Sequence, residues 1–515
     1  MEPRIARHAL IAALLAGVAA DGIFDRAPLG VGVPIATAAV LAMITWFGPH
    51  RRPADPIDWW LPAVALAASV GPALRTDPTV ILLDLGLIAA SVTAWSVAVS
   101  GIAVTRRTAA VITTLGAQAG LALAIGPAWL VARVGADGAF ARGRSQLGGL
   151  APVVRGTVVA VPVVAGFALL LGSADAVFGR VLEDALRFPV DLDEAWRRAA
   201  FAVIAAAVLA GPLTIAAAAG GALRWAGLRP IEPESEPATT SGPLAATAPA
   251  DAARSGATEA LVVLLAVDLL FAGFAAVQLV YLFGGRDTLA AIGMTYSDYA
   301  RQGYFQLVGV VGLAGLLAIG AHQVVGRTRS FQVAALTLLG LTSLILASAA
   351  VRLALYQGAY GWTELRFLVA ASIGWLGACL ALAIVLLAAD RMRWLPHGLA
   401  MSAIAATLVV SAIGPQAFVM RENLARVLDP TQVAPGGEAG IDLAYGMTLG
   451  DDAIPDLVAA LAVVPARQGS ILLRQLELRR EELEREAATA GPLSWNLARE
   501  QARAALARLA TPSAP

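Results

Sequence analysis

Apolar positions run in long blocks separated by short polar intervals. Each block holds about 20 residues, the length at which an α-helix crosses the hydrocarbon core of a bilayer. Such blocks lie at 8–24, 29–47, 58–74, 79–104, 150–171, 197–220, 257–283, 302–321, 331–353, 365–389 and 397–419, which predicts eleven helical spans. A twelfth candidate, 111–132, is interrupted by Gly116, Gln118, Gly120 and the Gly126–Pro127 pair, as suits a re-entrant or interfacial segment. The first block follows Arg4 and Arg7 and continues to Asp21 and Phe24 without a small-residue cleavage site, so it reads as a retained span rather than a signal peptide.

Arginine placement decides between eleven and twelve. With eleven spans and the N-terminus inside, 17 arginines near span ends fall on the cytoplasmic side and 10 outside, whereas twelve spans give 14 and 13. Short cytoplasmic loops are the basic ones, so eleven spans are expected, with the N-terminus cytoplasmic and the C-terminus extracytoplasmic in a bacterial cytoplasmic membrane. Under either count the loops at 173–196, 284–300 and 354–364 share a side with the C-terminal region, because an even number of spans separates each from the next.

The expected architecture is all-α: a polytopic membrane bundle of eleven or twelve spans with a small helical C-terminal soluble domain. Residues 1–228 form a front bundle of six spans, and 229–256, rich in Pro, Ala, Ser, Thr and Glu, read as a disordered, cytoplasmic linker. Residues 257–419 form a rear bundle of five spans, and 420–515 the soluble domain. The last boundary is compositional, since residues 421–515 carry 13 acidic and 10 basic groups. Within it, Asp451 or Asp452 can cap a helix with Pro455 in its first turn. A helix over 467–487 shows an apolar stripe through Leu472, Leu476 and Leu483, with Arg480–Glu484 and Glu481–Arg485 pairs. Ser494 is the expected N-cap of a last helix ending near Leu509.

Composition agrees with a membrane protein and removes several kinds of chemistry. The chain is 58% hydrophobic and 14% charged, against about 25% charged in ordinary globular proteins. Its 37 basic and 37 acidic groups cancel, so nothing points to nucleic acid. Every basic residue is arginine, which excludes Schiff-base lysines and the lysine of a phosphate-binding loop and suggests a high-GC bacterial genome. The single cysteine, Cys379, lies in an apolar block and reads as a packing residue. His8, His50, His322 and His397 are scattered, so neither a metal site nor a cofactor is expected. The usual catalytic signatures are missing, and an enzyme is the less favoured class.

Two features could carry function. Asp268 sits in the middle of its span, where a carboxylate is expensive; it serves either as a proton relay or ion site, or in an interhelical hydrogen bond. Asp84, near the outer end of its span, reads as a structural hydrogen-bonding group. The second feature is a cluster of Asp298, Tyr299, Arg301, Arg352, Tyr356, Tyr360, Glu364 and Arg366 at neighbouring outer span ends. Arg352, Tyr356 and Tyr360 are spaced to share one helix face. The arginines need anionic partners: Asp298 and Glu364 would make a structural clamp, and an anionic ligand would make a binding site.

The segments SADAVF (173–178), TYSDYARQGYFQL (295–307), YGWTELR (360–366) and DDAIPDL (451–457) resemble a bacterial membrane-protein family known as domain of unknown function 4173. Tyr304, Trp362 and the Tyr445–Gly446 pair depart from its pattern. The resemblance implies an integral membrane protein with signature elements at span ends and no established activity. The topology independently puts all four segments on one side. The expected function is therefore recognition or transport of an anionic or lipid-like envelope ligand at that face, with Asp268 coupling to ion movement. The alternatives are a sensor or scaffold whose C-terminal domain binds a protein partner, and a membrane-embedded transferase or hydrolase on a lipid-linked substrate with Asp298 or Glu364 as base.

Overall fold

The structure is a computed structural model describing residues 3–24, 28–49, 51–105, 194–218, 328–433 and 440–510, with shorter stretches between 118 and 134, 261 and 275, and 311 and 318. The expected linker at 229–256 and the expected span at 150–171 lie outside the described residues. Every regular element among those described is helical. In chain order the helices are α1 (Pro3–Phe24), α2 (Gly32–Phe47), α3 (Trp60–Leu74), α4 (Pro78–Val99), α5 (Glu194–Ala218), α6 (Arg329–Tyr360), α7 (Glu364–Ala388), α8 (Leu395–Ile413), α9 (Pro415–Leu428), α10 (Ile454–Ala460), α11 (Ala466–Thr489) and α12 (Leu497–Ala510). Six are long and apolar enough to cross a membrane: α1, α3 with its leading 3-10 turn, α4, α6, α7, and α8 with its leading turn. Gly32–Phe47, Phe201–Ala217 and Leu264–Gly273 are shorter apolar helices.

The chain forms two compact units. In the first, α1 and α5 pack antiparallel through small side chains. Ala6, Ala9 and Ala13 are buried on α1, as are Ala206 and Ala210 on α5. At one end of this pair Arg198 reaches Asp21 at 2.9 Å. At the other end the starts of α1 and α3 and the ends of α2, α4 and α5 converge in one apolar cluster centred on Trp95. The Trp95 indole N–H donates to the Thr45 hydroxyl at 3.0 Å, and its ring lies 4.8 Å from that of Trp59. Asp58, fully buried here, accepts from the backbone N–H groups of Val104 (3.0 Å) and Thr105 (2.9 Å), tying down the chain after α4.

In the second unit α6 and α7 form an antiparallel hairpin. Phe331, Leu338 and Leu346 pack with Ile373, Leu380 and Leu387, and Leu264 joins the same core. Both helices are capped by threonine: the Thr328 hydroxyl accepts from Phe331 N–H at 3.2 Å and that of Thr363 from Arg366 N–H at 3.3 Å. Cys379 is half-buried on α7, 3.6 Å from the Ser402 hydroxyl.

The apolar block expected as one span at 397–419 is two helices. Gly414 takes φ +72° between Ile413 and Pro415. Glycine adopts that conformation readily, and proline, with no N–H to lose, starts the next helix. Helix α9 continues through residue 420 and shares a core with the chain's last helices: Val80, Phe367, Val410, Val419, Met420, Leu457, Leu472, Leu476, Leu483 and Leu506 belong to one cluster. The α11 stripe of Leu472, Leu476 and Leu483 is thus buried as expected, and Arg480 meets Glu484 at 4.0 Å. Arg485 instead reaches the Glu481 main-chain carbonyl at 3.3 Å. Ser494 is not an N-cap; it closes the Pro492–Ser494 turn by donating to the Gly491 carbonyl at 2.6 Å, and α12 begins at Leu497.

Candidate functional site

The second unit gathers polar groups where the α3–α4 turn, the start of α7, the end of α8 and the segment before α10 meet. The turn is Arg75-Thr76-Asp77-Pro78-Thr79. Arg75 donates through Nε to the Ser411 carbonyl at 3.1 Å and through its terminal nitrogen to the Ala412 carbonyl, satisfying the end of α8. It also faces Asp452 at 3.5 Å. A Cβ on Gly414 would lie 2.5 Å from the Arg75 guanidinium carbon, so a side chain there would push the guanidinium aside, and φ +72° favours glycine in its own right.

Thr76 donates to Asp452 Oδ2 from both its backbone N–H and its hydroxyl, each at 2.6 Å. Asp77 Oδ1 caps the start of α4, accepting from Thr79 N–H at 2.9 Å and Val80 N–H at 3.3 Å. The Thr79 hydroxyl donates to Glu364 Oε1 at 2.9 Å, and Gln416 Nε2 reaches Glu364 Oε2 at 3.4 Å. Gln416 Oε1 in turn accepts from Gly450 N–H at 2.8 Å, and the Tyr445 hydroxyl accepts from Glu364 N–H at 2.7 Å.

Three carboxylates, Asp77, Glu364 and Asp452, therefore meet beside one arginine. Asp77 is 0% exposed and its Oδ2 has no hydrogen-bond partner among the described residues. Burial first, then the charge of Glu364 and, more weakly, that of Asp452, push its carboxyl up to about 6, against the two backbone hydrogen bonds that favour the anion. Asp451 is buried in a separate ion pair with Arg479, at 2.9 Å and 3.0 Å, and Arg479 also meets Glu482 and Glu486. Neither Asp451 nor Asp452 acts as the expected cap: both side chains are drawn into tertiary pairs, and α10 is entered through a 3-10 turn.

The expected tyrosine and arginine cluster is partly assembled. Asp298, Tyr299 and Arg301 lie outside the described residues. Tyr356 and Tyr360 do share a face of α6, ring centroids 5.2 Å apart, and the Arg366 guanidinium lies 4.2 Å above the Tyr356 ring. Arg352 sits half-buried one turn earlier on the same helix. Asp298, half of the expected clamp, is not among the described residues; among them Arg366 donates to the carbonyls of Tyr360 (3.1 Å) and Gly361 (2.6 Å). Arg426, buried on α9, does the same for Gln357 (2.8 Å), Gly358 (3.0 Å) and Ala359 (3.3 Å). Both arginines thus satisfy the carbonyls that end α6, where a helix has no partners of its own and attracts cations.

Asn423 closes the same junction, exchanging hydrogen bonds with Trp362 N–H (2.7 Å) and Trp362 carbonyl (2.8 Å). Gly361 has φ +73°, and a Cβ there would lie 2.6 Å from Asn423 Oδ1. Gly361→Ala is accordingly expected to cost about 2 kcal/mol, from the left-handed backbone and the displaced amide together. Thermal unfolding of the purified protein checks it; an unchanged midpoint would show that the junction yields without loss.

Asp77, Asp452, Gln416, Arg75 and Arg426 did not stand out in the sequence as members of one site. The available signals were the polar RTDPT run between two apolar blocks and the DDAIPDL segment. No group of three His, Cys, Asp or Glu side chains among the described residues is arranged to hold a metal.

Six helices long and apolar enough to cross a membrane, with every regular element among the described residues helical, mark an all-α membrane protein. The family described as Domain of unknown function (DUF4153) matches residues 63–460, and the chain belongs to it. That family stands in place of domain of unknown function 4173; the coarser implication of the resemblance, a family without an established activity, holds. No curated protein and no solved structure matches the chain.

Proposed function

We propose that the protein is a multi-pass protein of a bacterial cytoplasmic membrane that recognises or moves an envelope ligand at the end of the bundle carrying the signature segments, with Asp268 as its proton- or ion-carrying group. The observation that carries this reading is the state of Asp268. It is 7% exposed, its apolar helix Leu264–Gly273 contributes Leu264 to the α6–α7 core, and both its carboxylate oxygens are buried without a hydrogen-bond partner among the described residues. A purely structural aspartate in a span would be kept by an interhelical hydrogen bond. Leaving one unsatisfied costs about 1 to 3 kcal/mol or more, and such a cost is retained where the group works.

Sidedness has two supports. The Arg51–Arg52 and Arg75–Asp77 turns flank α3 with its leading turn, one membrane length of 19 residues. The basic turn belongs inside, with Arg51 lying 3.9 Å over the Trp46 ring, so Asp77 and Asp452 belong outside. Helices α4 and α5 also both end in the Trp95 cluster. An odd number of crossings between them keeps this consistent, which favours eleven spans, with 111–132 not crossing. An anionic ligand would rest on Arg301 and Arg352; Arg366 donates to the Tyr360 and Gly361 carbonyls.

The test is Asp268→Leu. Removing an unsatisfied carboxylate is expected to raise the thermal midpoint while abolishing complementation of a deletion strain. Full complementation by Asp268→Leu would overturn the reading. The sensor or scaffold alternative is favoured by one observation, the direct grip of the α3–α4 turn on Asp452, which links a span end to the C-terminal helices.

A further inference from the structure

At the junction of the Arg75–Ile81 segment with α7 and the C-terminal helices, almost every polar oxygen is engaged. Asp452 Oδ2 is held by Thr76 and its other oxygen faces Arg75. The Glu364 oxygens are held by Thr79 and Gln416. Asp77 Oδ1 caps α4. Two oxygens remain without a hydrogen-bond donor among the described residues: Asp452 Oδ1, which has the charge of Arg75 beside it at 3.5 Å, and Asp77 Oδ2, which sits on a side chain that is 0% exposed. Two open oxygens, one of them already facing a guanidinium, are too few for a hard metal cation, which wants several, and Asp77 Oδ2 is enough for a proton.

The charged surroundings point the same way. The turn itself brings Arg75, already paired with Asp452. Helix α7 brings Glu364, whose charge acts on Asp77, and Arg366, which is turned to the Tyr360 and Gly361 carbonyls. Helix α8 brings only the Ser411 and Ala412 carbonyls, and α9 the neutral Gln416. The C-terminal segments bring Tyr445, Asp452, and Asp451, which Arg479 neutralises. The charges that act on Asp77 are those of two carboxylates, Glu364 and Asp452.

We propose that Asp77, flanked by Glu364 and Asp452, is an exchangeable-proton site that works as a latch: the bound proton lets the Arg75–Ile81 turn close on α7 and the C-terminal helices, and its loss loosens that closure. This stands apart from the role given to Asp268, on different residues and a different readout. The direction follows from linkage. Asp77 titrates at about 6 when the turn is closed and near the ordinary 3.8 when it is open. The closed state therefore holds more protons, and closure is strongest below both values and weakens as pH rises through that interval.

The experiment is hydrogen exchange with mass spectrometry on the full-length protein in nanodiscs, corrected for intrinsic exchange, following peptides over 72–81 and 442–460. Between about pH 5 and about pH 7.5 the opening equilibrium is expected to rise about tenfold in the wild type. Asp77→Asn, whose amide oxygen still caps α4, is expected to remove the rise and keep the low-pH protection. Glu364→Gln, which keeps the acceptor for Thr79 but deletes the charge, is expected to shrink the rise. An unchanged wild-type opening, or a full rise in Asp77→Asn, would overturn the latch. If Asp77→Asn does not fold, Glu364→Gln decides alone: a smaller rise supports the proposal and an undiminished one overturns it.

Discussion

Replacing Asp452 by alanine is expected to destabilise the protein by about 3 to 4 kcal/mol. Asp452 is buried, and Thr76 gives it two hydrogen bonds while Arg75 faces it at 3.5 Å. Truncation removes the Asp452 acceptor from the Thr76 N–H and takes the Asp452 charge away from Arg75, whose side chain is 21% exposed. Hydrogen bonds to charged groups contribute about 1.5 to 3 kcal/mol each, more than neutral ones. One term opposes the loss, because Asp452 is among the charges that burden Asp77. It is the weakest cause acting there, behind burial and Glu364, so the sign stands. Asp452→Asn should lose only about 1 to 2 kcal/mol, since its amide oxygen still accepts from Thr76. Unfolding of both variants in detergent, followed by tryptophan fluorescence, separates the two terms. Equal losses would mean that the Asp452 charge adds nothing to what the other partners of Arg75 supply.

The helices were legible in the sequence because a span is a local property. The block at 365–389 is α7 at Glu364–Ala388, and that at 331–353 lies within α6 at Arg329–Tyr360. Length and apolarity suffice for this, and neither depends on a distant residue. Where local rules compete, the boundary moves. The block at 397–419 hid a break at Gly414–Pro415, a dipeptide that marks a turn, because apolarity runs unbroken across it. Asp451 and Asp452 had the spacing of caps, yet Arg479 and Thr76 offered stronger, charge-assisted partners.

The site was less legible for the same physical reason. Tyr356, Tyr360 and Arg366 could be placed together because they lie within eleven positions of one another around a single turn. The partner of Arg366 could not be read, since a carbonyl at a helix end attracts a guanidinium as a carboxylate does and leaves no trace in side-chain identity. Asp77 and Asp452 sit on elements far apart in sequence, and only the folded chain brings them to one junction. What the sequence did carry was position: RTDPT, YGWTELR and DDAIPDL all fall at the ends of apolar blocks, where chain reversals gather polar residues.

Gly17→Leu tests the packing on which the first unit depends, and it is expected to destabilise by about 3 kcal/mol or more. A Cβ at Gly17 would lie 2.2 Å from the Ala202 carbonyl oxygen and 2.8 Å from both the backbone nitrogen and the Cβ of Ala206. Two of these are main-chain atoms, so no rotamer change can make room and α1 must move away from α5. That movement opens the contacts of Ala9 and Ala13 and lengthens the Asp21–Arg198 pair, now 2.9 Å. Helix association in a bilayer rests on such close approach, because lipid tails offer side chains as apolar a surrounding as another helix does. Gly22 on the same helix is the control: nothing lies within 4 Å of a Cβ there, so Gly22→Ala should be neutral or stabilising by about 1 kcal/mol. Thermal unfolding in micelles should therefore separate the two variants, and a Gly17→Leu midpoint equal to that of Gly22→Ala would mean that α1 and α5 do not meet at Gly17.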